Sequence, residues 1–309
     1  MRIVFMGTPD FAAKALKAIY EAGHEVVCVV TQPDKEKGRG KSVSESPVKQ
    51  LAKELGLTVI TPAKMKSAEA IEELRRYPAD MFVVAAYGQI LKQEVLDMPR
   101  LGSINIHASL LPKYRGAAPI QWAILDGLKE TGVTIMHMDA GIDTGNIIMQ
   151  EKIEIEDTDT GESLFDKLAD LGAKAIVKAI PLIERGELTE IPQNHDESSY
   201  AKMLSKEMGL IDFLNDARVI ERWVRGLNSW PSAYTYLNGK QLKIWVSEVV
   251  EDTSDVKPGT VIDVDKKSFT IKCGVDALKL KEIQLEGKKR MEVSAFLLGY
   301  KVSVGDILG

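Results

Sequence analysis

Short apolar runs alternate with helix-period segments through the first half of this chain, and no other property restricts its fold as tightly. Residues 3–6, 26–31, a stretch near Val59, 81–86 and 103–107 read as strands, and the intervals between them carry helix starts and stops. Thr8 is expected to cap a helix that has Pro9 in its first turn and ends at Gly23. Ser46-Pro47 opens another, with Val48, Leu51, Ala52 and Leu55 on one face and Gly56 at its end. A helical piece near 91–98 leads into the strand at 103–107. Strands joined by helices pair in parallel, because the crossover returns the chain to the same end of the sheet. The first part is therefore expected to be α/β, a Rossmann-like open, mostly parallel sheet covered by helices.

A helix at 119–127, strands at 131–138 and 147–155, and a long helix from about 161 to 185 complete that part, the last capped by Thr160 and stopped by Gly186. Residues 187–208 are polar and read as a connecting segment. Asn215 is expected to cap a helix bearing Val219, Trp223 and Leu227, after which the period becomes two: 233–237, an Asn238-Gly239 hairpin turn, 241–250, 259–265, 268–273 and 277–284. So few strands hide their edges most simply by closing, so a small OB-like β-barrel is expected over 209–309. At 309 residues two domains are the default, here 1–186 and 209–309.

Composition removes several functions. Forty Lys and Arg against 45 Asp and Glu give a net charge of −5, which weighs against general DNA binding, although Lys288-Lys289-Arg290 is locally basic. Cys28 and Cys273 stand far apart and read as small core residues in a reducing compartment. No His/Cys cluster suits zinc, and the string from Asp139 to Asp143 lacks the ligand order of an EF-hand, so no metal is expected. The longest apolar run, 81–87, is too short to span a bilayer. The first strand begins almost at once and leaves no room for a leader, so a cytoplasmic protein without membrane contact is expected. Gly7 follows a first strand, but the further glycines of a dinucleotide fingerprint and any Gly-Lys-Ser/Thr loop are missing, which disfavours NAD or ATP.

Chemistry concentrates at 103–120. Asn105 and His107 are two residues apart on a strand and so project from one face, a neutral donor beside a proton carrier. Leu110, Leu111 and Pro112 follow as a stiff apolar shelf. A second loop, 138–146, carries Asp143, which would orient the imidazole. Such a trio suits acyl transfer, but strand-end Asn and His also satisfy backbone groups in many folds, and the residues alone leave both readings open. His137 reads as packed or surface, and His24 and His195 have weaker claims still. Ligands of open α/β sheets sit at the carboxyl ends of the strands, so Tyr87, Gln89, His107 and the 139–143 loop are expected to converge. The basic connector 35–41 is long for its place and reads either as solvated surface or as a phosphate-contacting arm.

Asn105-Ile-His-Ala-Ser-Leu-Leu-Pro, Lys113-Tyr-Arg-Gly-Ala-Ala-Pro-Ile and Asp143-Thr-Gly resemble the formyltransferases that use 10-formyltetrahydrofolate. Phe5-Met-Gly-Thr-Pro-Asp-Phe, Thr31-Gln-Pro-Asp, Gly38-Arg-Gly-Lys, Ser46-Pro-Val-Lys, Ala86-Tyr-Gly-Gln-Ile-Leu and Trp230-Pro-Ser-Ala-Tyr extend the resemblance over nearly the whole chain, toward the members that act on initiator tRNA. Asn146 departs from the pattern, which often has an acidic residue there. The resemblance implies formyl transfer from 10-formyltetrahydrofolate as co-substrate to the α-amine of methionyl initiator tRNA. Asn105, His107 and Asp143 would be catalytic, and Tyr87, Gln89, Ser109, Leu110, Leu111 and Pro112 would contact folate. The C-terminal barrel would bind tRNA, and a monomer is expected. A relative acting on an amino-sugar nucleotide, or a tRNA-binding module without catalysis, are the alternatives.

Arg39 and Lys41 are expected to contact the acceptor stem, because a guanidinium pairs with phosphate oxygens in two-pronged fashion. Arg39→Ala should weaken use of charged tRNA and lower its salt dependence by about one released counterion. Folate affinity should hold, and Arg39→Lys should recover only part of the loss. Kinetics across a salt series check this, and tRNA kinetics unchanged by Arg39→Ala would make the connector plain surface.

Overall fold

The computed structural model describes residues 1–37 and 42–309. The chain falls into two compact units, Met1–Pro119, Glu130–Glu154 and Phe165–Ala201 in one and Ile120–Lys129, Ile155–Leu164 and Lys202–Gly309 in the other.

The first unit opens with β1 (Arg2–Gly7), α1 (Asp10–Glu21), β2 (Glu25–Val30) and a small antiparallel pair, β3 (Lys35–Lys37) and β4 (Ser42–Ser44). There follow α2 (Pro47–Glu54), β5 (Val59–Ile60), α3 (Ala68–Leu74), β6 (Met81–Ala85), α4 (Gln93–Leu96), β7 (Ser103–His107) and β8 (Arg115–Gly116). Helix α5 (Pro119–Leu125) precedes β9 (Glu130–His137) and β10 (Ile147–Glu154), and α6 (Gly161–Glu184) precedes β11 (Tyr200–Ala201), which pairs in parallel with β8. The main sheet has the order β10-β9-β7-β6-β1-β2-β5; β5, β2, β1, β6 and β7 are parallel, and β9 and β10 run antiparallel at one side. Its middle strands are apolar on both faces because both are covered. Val4, Met6, Cys28, Val30, Phe82 and Val84 pack on Ala70, Ile71 and Leu74 of α3. On the opposite face Gly172 of α6 lies close to Ile106, Phe11 and Val133. Each fully buried Val or Phe contributes roughly 2 kcal/mol.

Local signals explain most boundaries. Ser46 accepts from Lys49 N at 3.1 Å as the cap of α2, and Thr160 does the same for Ser163 N at 3.1 Å. Gly23, Gly56 and Gly186 end their helices at positive φ. Thr8, however, does not cap α1: the helix starts from Pro9 without a side-chain cap, and the Thr8 hydroxyl donates to the Tyr87 carbonyl at 2.9 Å. It stands one residue too early to reach the free amides, and ties two loops together instead. In α2 only Val48 and Ala52 are fully buried, and α3 was not anticipated at all.

The second unit contains α7 (Ala217–Gly226), β12 (Ala233–Leu237), β13 (Lys240–Val250), β14 (Val261–Val264), β15 (Phe269–Lys272), β16 (Ala277–Leu285), β17 (Met291–Glu292) and α8 (Val293–Leu297). The antiparallel order is β12-β13-β16-β15-β14, with β17 on β16, and the sheet does not close on itself among the described residues. Its edges are shielded by neighbouring chain: Val261 N donates to Asp306 O and Leu308 N to Gly259 O, both at 2.8 Å, and Ile211 N donates to Tyr234 O at 2.8 Å. Helix α7 is capped by Asp216 rather than Asn215, and the face it buries is Ala217, Ile220 and Val224. Of the expected Val219, Trp223 and Leu227, Leu227 is fully buried, whereas Val219 and Trp223 flank the buried face and are half-buried.

Lys272 and Asp252 form a mostly buried pair, Nζ donating to Oδ2 at 2.7 Å and to the Asp252 carbonyl at 3.1 Å. The hydrogen bond from Lys272 holds the Asp252 carboxyl below the ordinary carboxylate range. Its contribution is therefore complete above the unfolded-state pKa and is lost as pH falls through the lower folded value. Lys272→Met is expected to cost about 3 kcal/mol at neutral pH by stranding the carboxylate. Urea unfolding should show this gap narrowing as the solution is acidified below about pH 4, and a gap independent of pH would contradict it.

Candidate active site

Alternation along β7 puts Asn105 and His107 on one face and Ile104 and Ile106 on the other, where the core takes them. His107 is 6% exposed, and its Nε2 donates to the Tyr114 carbonyl at 2.9 Å. That bond fixes the ring and turns Nδ1 toward Asp143, whose Oδ1 is 3.6 Å away. The separation is too long for a neutral hydrogen bond, and the pair attracts fully when both ring nitrogens are protonated. Asn105 Nδ2 donates to the same oxygen at 3.4 Å, and the other oxygen, Oδ2, accepts from Gly116 N at 2.8 Å.

Asp143 reaches this position on a tight loop. Asp139 Oδ1 accepts from Gly141 N at 3.0 Å and from Thr144 Oγ1 at 2.6 Å, turning the chain back. Asp143 itself is left-handed, φ +54°, a conformation Asp tolerates better than most residues. A Cβ on Gly145 would overlap the His137 carbonyl, so only glycine lets the loop pass so closely. Gln193, from the segment read as a connection, donates from Nε2 to Asp143 O at 2.9 Å and to Gly145 O at 2.7 Å. Among the described residues no group of acidic, His or Cys side chains is arranged to hold a metal ion.

The shelf after His107 is held by polar bonds beneath it. Ser109 Oγ donates to Lys113 O at 2.7 Å, while Thr134 Oγ1 donates to Ser109 O at 2.6 Å and accepts from Leu111 N at 3.1 Å. Ser109 and Leu111 are buried, and Leu110 and Pro112 remain half-buried. Tyr87 is 2% exposed within the core, and burial pushes its phenol up to about 12. Gln89 accepts from Met65 N at 2.7 Å and donates to Pro62 O at 3.0 Å. Both side chains face inward, so the 87–89 turn presents its backbone. Arg39 and Lys41 lie outside the described residues; at the base of their connector, Thr31 and Ser46 share a hydrogen bond of 2.7 Å and Lys49 pairs with Asp34 at 2.7 Å.

His137 is indeed packed, its Nε2 against Leu101 O at 3.2 Å and its Nδ1 against Glu190 at 2.7 Å. Asn146 donates to the same Glu190 at 3.0 Å. Sequence reasoning missed Gln193 and left Arg115, inside a quoted motif, without a task. Gln193 follows a proline in a polar stretch with no period, and nothing local marks it.

The formyl transferase family model matches residues 1–180, and the model of the formyl transferase C-terminal domain matches residues 203–301. A methionyl-tRNA formyltransferase of Lachnospira eligens is 53% identical, and one of Caldanaerobacter subterraneus subsp. tengcongensis 48% identical, each covering 100% of both chains. Among solved structures, HypX from Aquifex aeolicus in complex with tetrahydrofolic acid superposes with a TM-score of 0.66 at 19% identity, covering 99% of this chain and 50% of that one. WlaRD, a sugar 3N-formyl transferase, gives 0.66 at 23% identity, covering 94% and 99%. These two likenesses bear on the fold; the full-length identities bear on descent, and by them the chain belongs to the methionyl-tRNA formyltransferase family.

Proposed function

We propose that this chain transfers the formyl group of 10-formyltetrahydrofolate to the free α-amine of methionyl initiator tRNA, with Asn105, His107 and Asp143 touching the reacting atoms. The observation that carries the reading is their convergence: one Asp143 oxygen lies 3.6 Å from His107 Nδ1 and 3.4 Å from Asn105 Nδ2. Relatives of that name are 51% and 53% identical along the chain, and residues 203–301 are matched by a formyl transferase C-terminal domain along with 1–180.

The amine nitrogen bonds to the formyl carbon while the carbonyl electron pair moves to oxygen. The oxyanion pair then re-forms the carbonyl as the bond from that carbon to N10 breaks, the bond's electron pair going to N10. The ammonium nitrogen gives a proton to Asp143, directly or through water, and N10 gains one, so the proton balance closes. Asn105 Nδ2 and the protonated Nδ1 of His107 donate to the oxyanion, and losing one such donor costs about 3 kcal/mol. The Ser109–Pro112 shelf would support the folate, with Leu110 and Pro112 as its apolar contacts and the backbone of the Tyr87–Gln89 turn facing its polar ring edges. Formyl chemistry would belong to residues 1–186 and tRNA contact to 209–309, with 187–208 between them. For that second part an OB-like role suits the outward side of β13, where Arg290 lies 4.7 Å and Lys243 5.6 Å from the Trp245 ring.

Radiolabelled formyl transfer to charged initiator tRNA and to an amino-sugar nucleotide tests the reading; label on the tRNA alone is expected. His107→Ala and Asp143→Ala should each lose on the order of 10³-fold or more in kcat, with the double variant little worse than either. Asn105→Ala should lower kcat about 10²-fold while leaving the folate KM nearly unchanged. Additive losses in the first pair, or an effect of Asn105→Ala confined to KM, would contradict these roles.

A further inference from the structure

The segment 191–201 is bonded to both halves of the site. Ile191 and Ile147 exchange backbone hydrogen bonds of 2.8 and 2.9 Å just beyond the Asp143 loop. Ser199 accepts from Tyr114 N through Oγ at 2.9 Å and from Arg115 N through its carbonyl at 2.9 Å. Tyr200 and Ala201 then pair with Arg115 and Gly116. The stretch 114–116 supplies the carbonyl that holds His107 and the amide that holds Asp143.

Gln193 sits at the centre of this strap, 6% exposed. Its Oε1 accepts from Arg115 Nε at 3.1 Å and Nη2 at 2.7 Å, and its Nε2 donates to the carbonyls of Asp143 and Gly145 at 2.9 and 2.7 Å. Arg115 is itself 5% exposed, with Nη2 3.2 Å from His195 Nδ1. The amide is thereby oriented without ambiguity: a guanidinium can only donate, so its oxygen must face Arg115 and its nitrogen must face the loop. Two carbonyls of one turn bound to one buried amide fix the plane of that turn, and with it the direction of a carboxylate carried on a left-handed residue.

We infer that Gln193, held by Arg115, is the positioning residue for Asp143, setting the aim of its carboxylate for the reaction without touching substrate. This rests on the formyl-transfer reading above. A misplacement near 1 Å is enough to cost about 10²-fold in rate.

The test compares wild type, Gln193→Met, Asp143→Ala and the double variant in steady-state formyl transfer to charged initiator tRNA, with thermal melting alongside. Gln193→Met keeps side-chain length and removes the amide. Its kcat is expected to fall about 10²-fold, with the folate KM within about twofold and no further drop when it is added to Asp143→Ala. A loss equally large in the Asp143→Ala background, or one confined to KM, overturns the role. Should Gln193→Met fail to fold, Arg115→Lys replaces it: lysine keeps the charge but cannot hold the oxygen with two parallel donors. It should lower kcat about tenfold with KM unchanged, on an estimate of one weakened charge-assisted bond, and unchanged kcat in the folded variant overturns the role. Wild type that formylates no acceptor sinks the functional reading itself, whereas active wild type with additive losses sinks only the part assigned to Gln193.

Discussion

Strand β9 runs against β7, and the site's geometry follows from what that direction forces. His137, at the end of β9, pairs with Ile104, at the beginning of β7. The loop carrying Asp143 therefore leaves the sheet beside the wrong end of the strand for His107. To reach the imidazole the carboxylate must come back along the strand by three residues, about 10 Å. The Gly116 amide receives it there at 2.8 Å. Everything odd about the loop serves this return: the Asp139 turn, the left-handed Asp143, and the close passage of Gly145 beneath the His137 carbonyl.

Much of this could be read from the chain. The alternation of Asn105 and His107 with Ile104 and Ile106 is a period-two signal, and it survives folding because the two isoleucines enter the core while Asn105 and His107 turn to the other face, toward Asp143. Helix ends marked by glycine at positive φ were equally legible, since the steric reason is local. The misreadings share a cause: they concern polar groups whose partners are distant in sequence. Thr8 looked like a cap because its partner, the Tyr87 carbonyl, is 79 residues away. The inward bonds of Gln89 were equally hidden, because its partners Met65 and Pro62 are 24 and 27 residues away. At α7 the expected Leu227 is buried, whereas Val219 and Trp223 sit beside the buried face rather than on it.

The chain passes repeatedly from one unit to the other, so that α5 begins in the first unit and lies mostly in the second, and the first turn of α6 belongs with the second. From Phe165 the chain is back in the first unit and stays there through the rest of α6 and on to Ala201. The polar stretch that follows α6 is mostly exposed, but Gln193 within it is buried and bonds to backbone carbonyls of the Asp143 loop.

Both native thiols are enclosed in the two cores. Cys28 and Cys273 are 0% exposed, and burial pushes each up to about 12. Thiolate is the form that alkylating reagents attack, so at neutral pH the folded chain is expected to react only slowly with maleimides. A single cysteine introduced at an exposed position such as Ile142 would therefore take a fluorophore or spin label selectively, giving a reporter on the loop beside the carboxylate in an otherwise native chain.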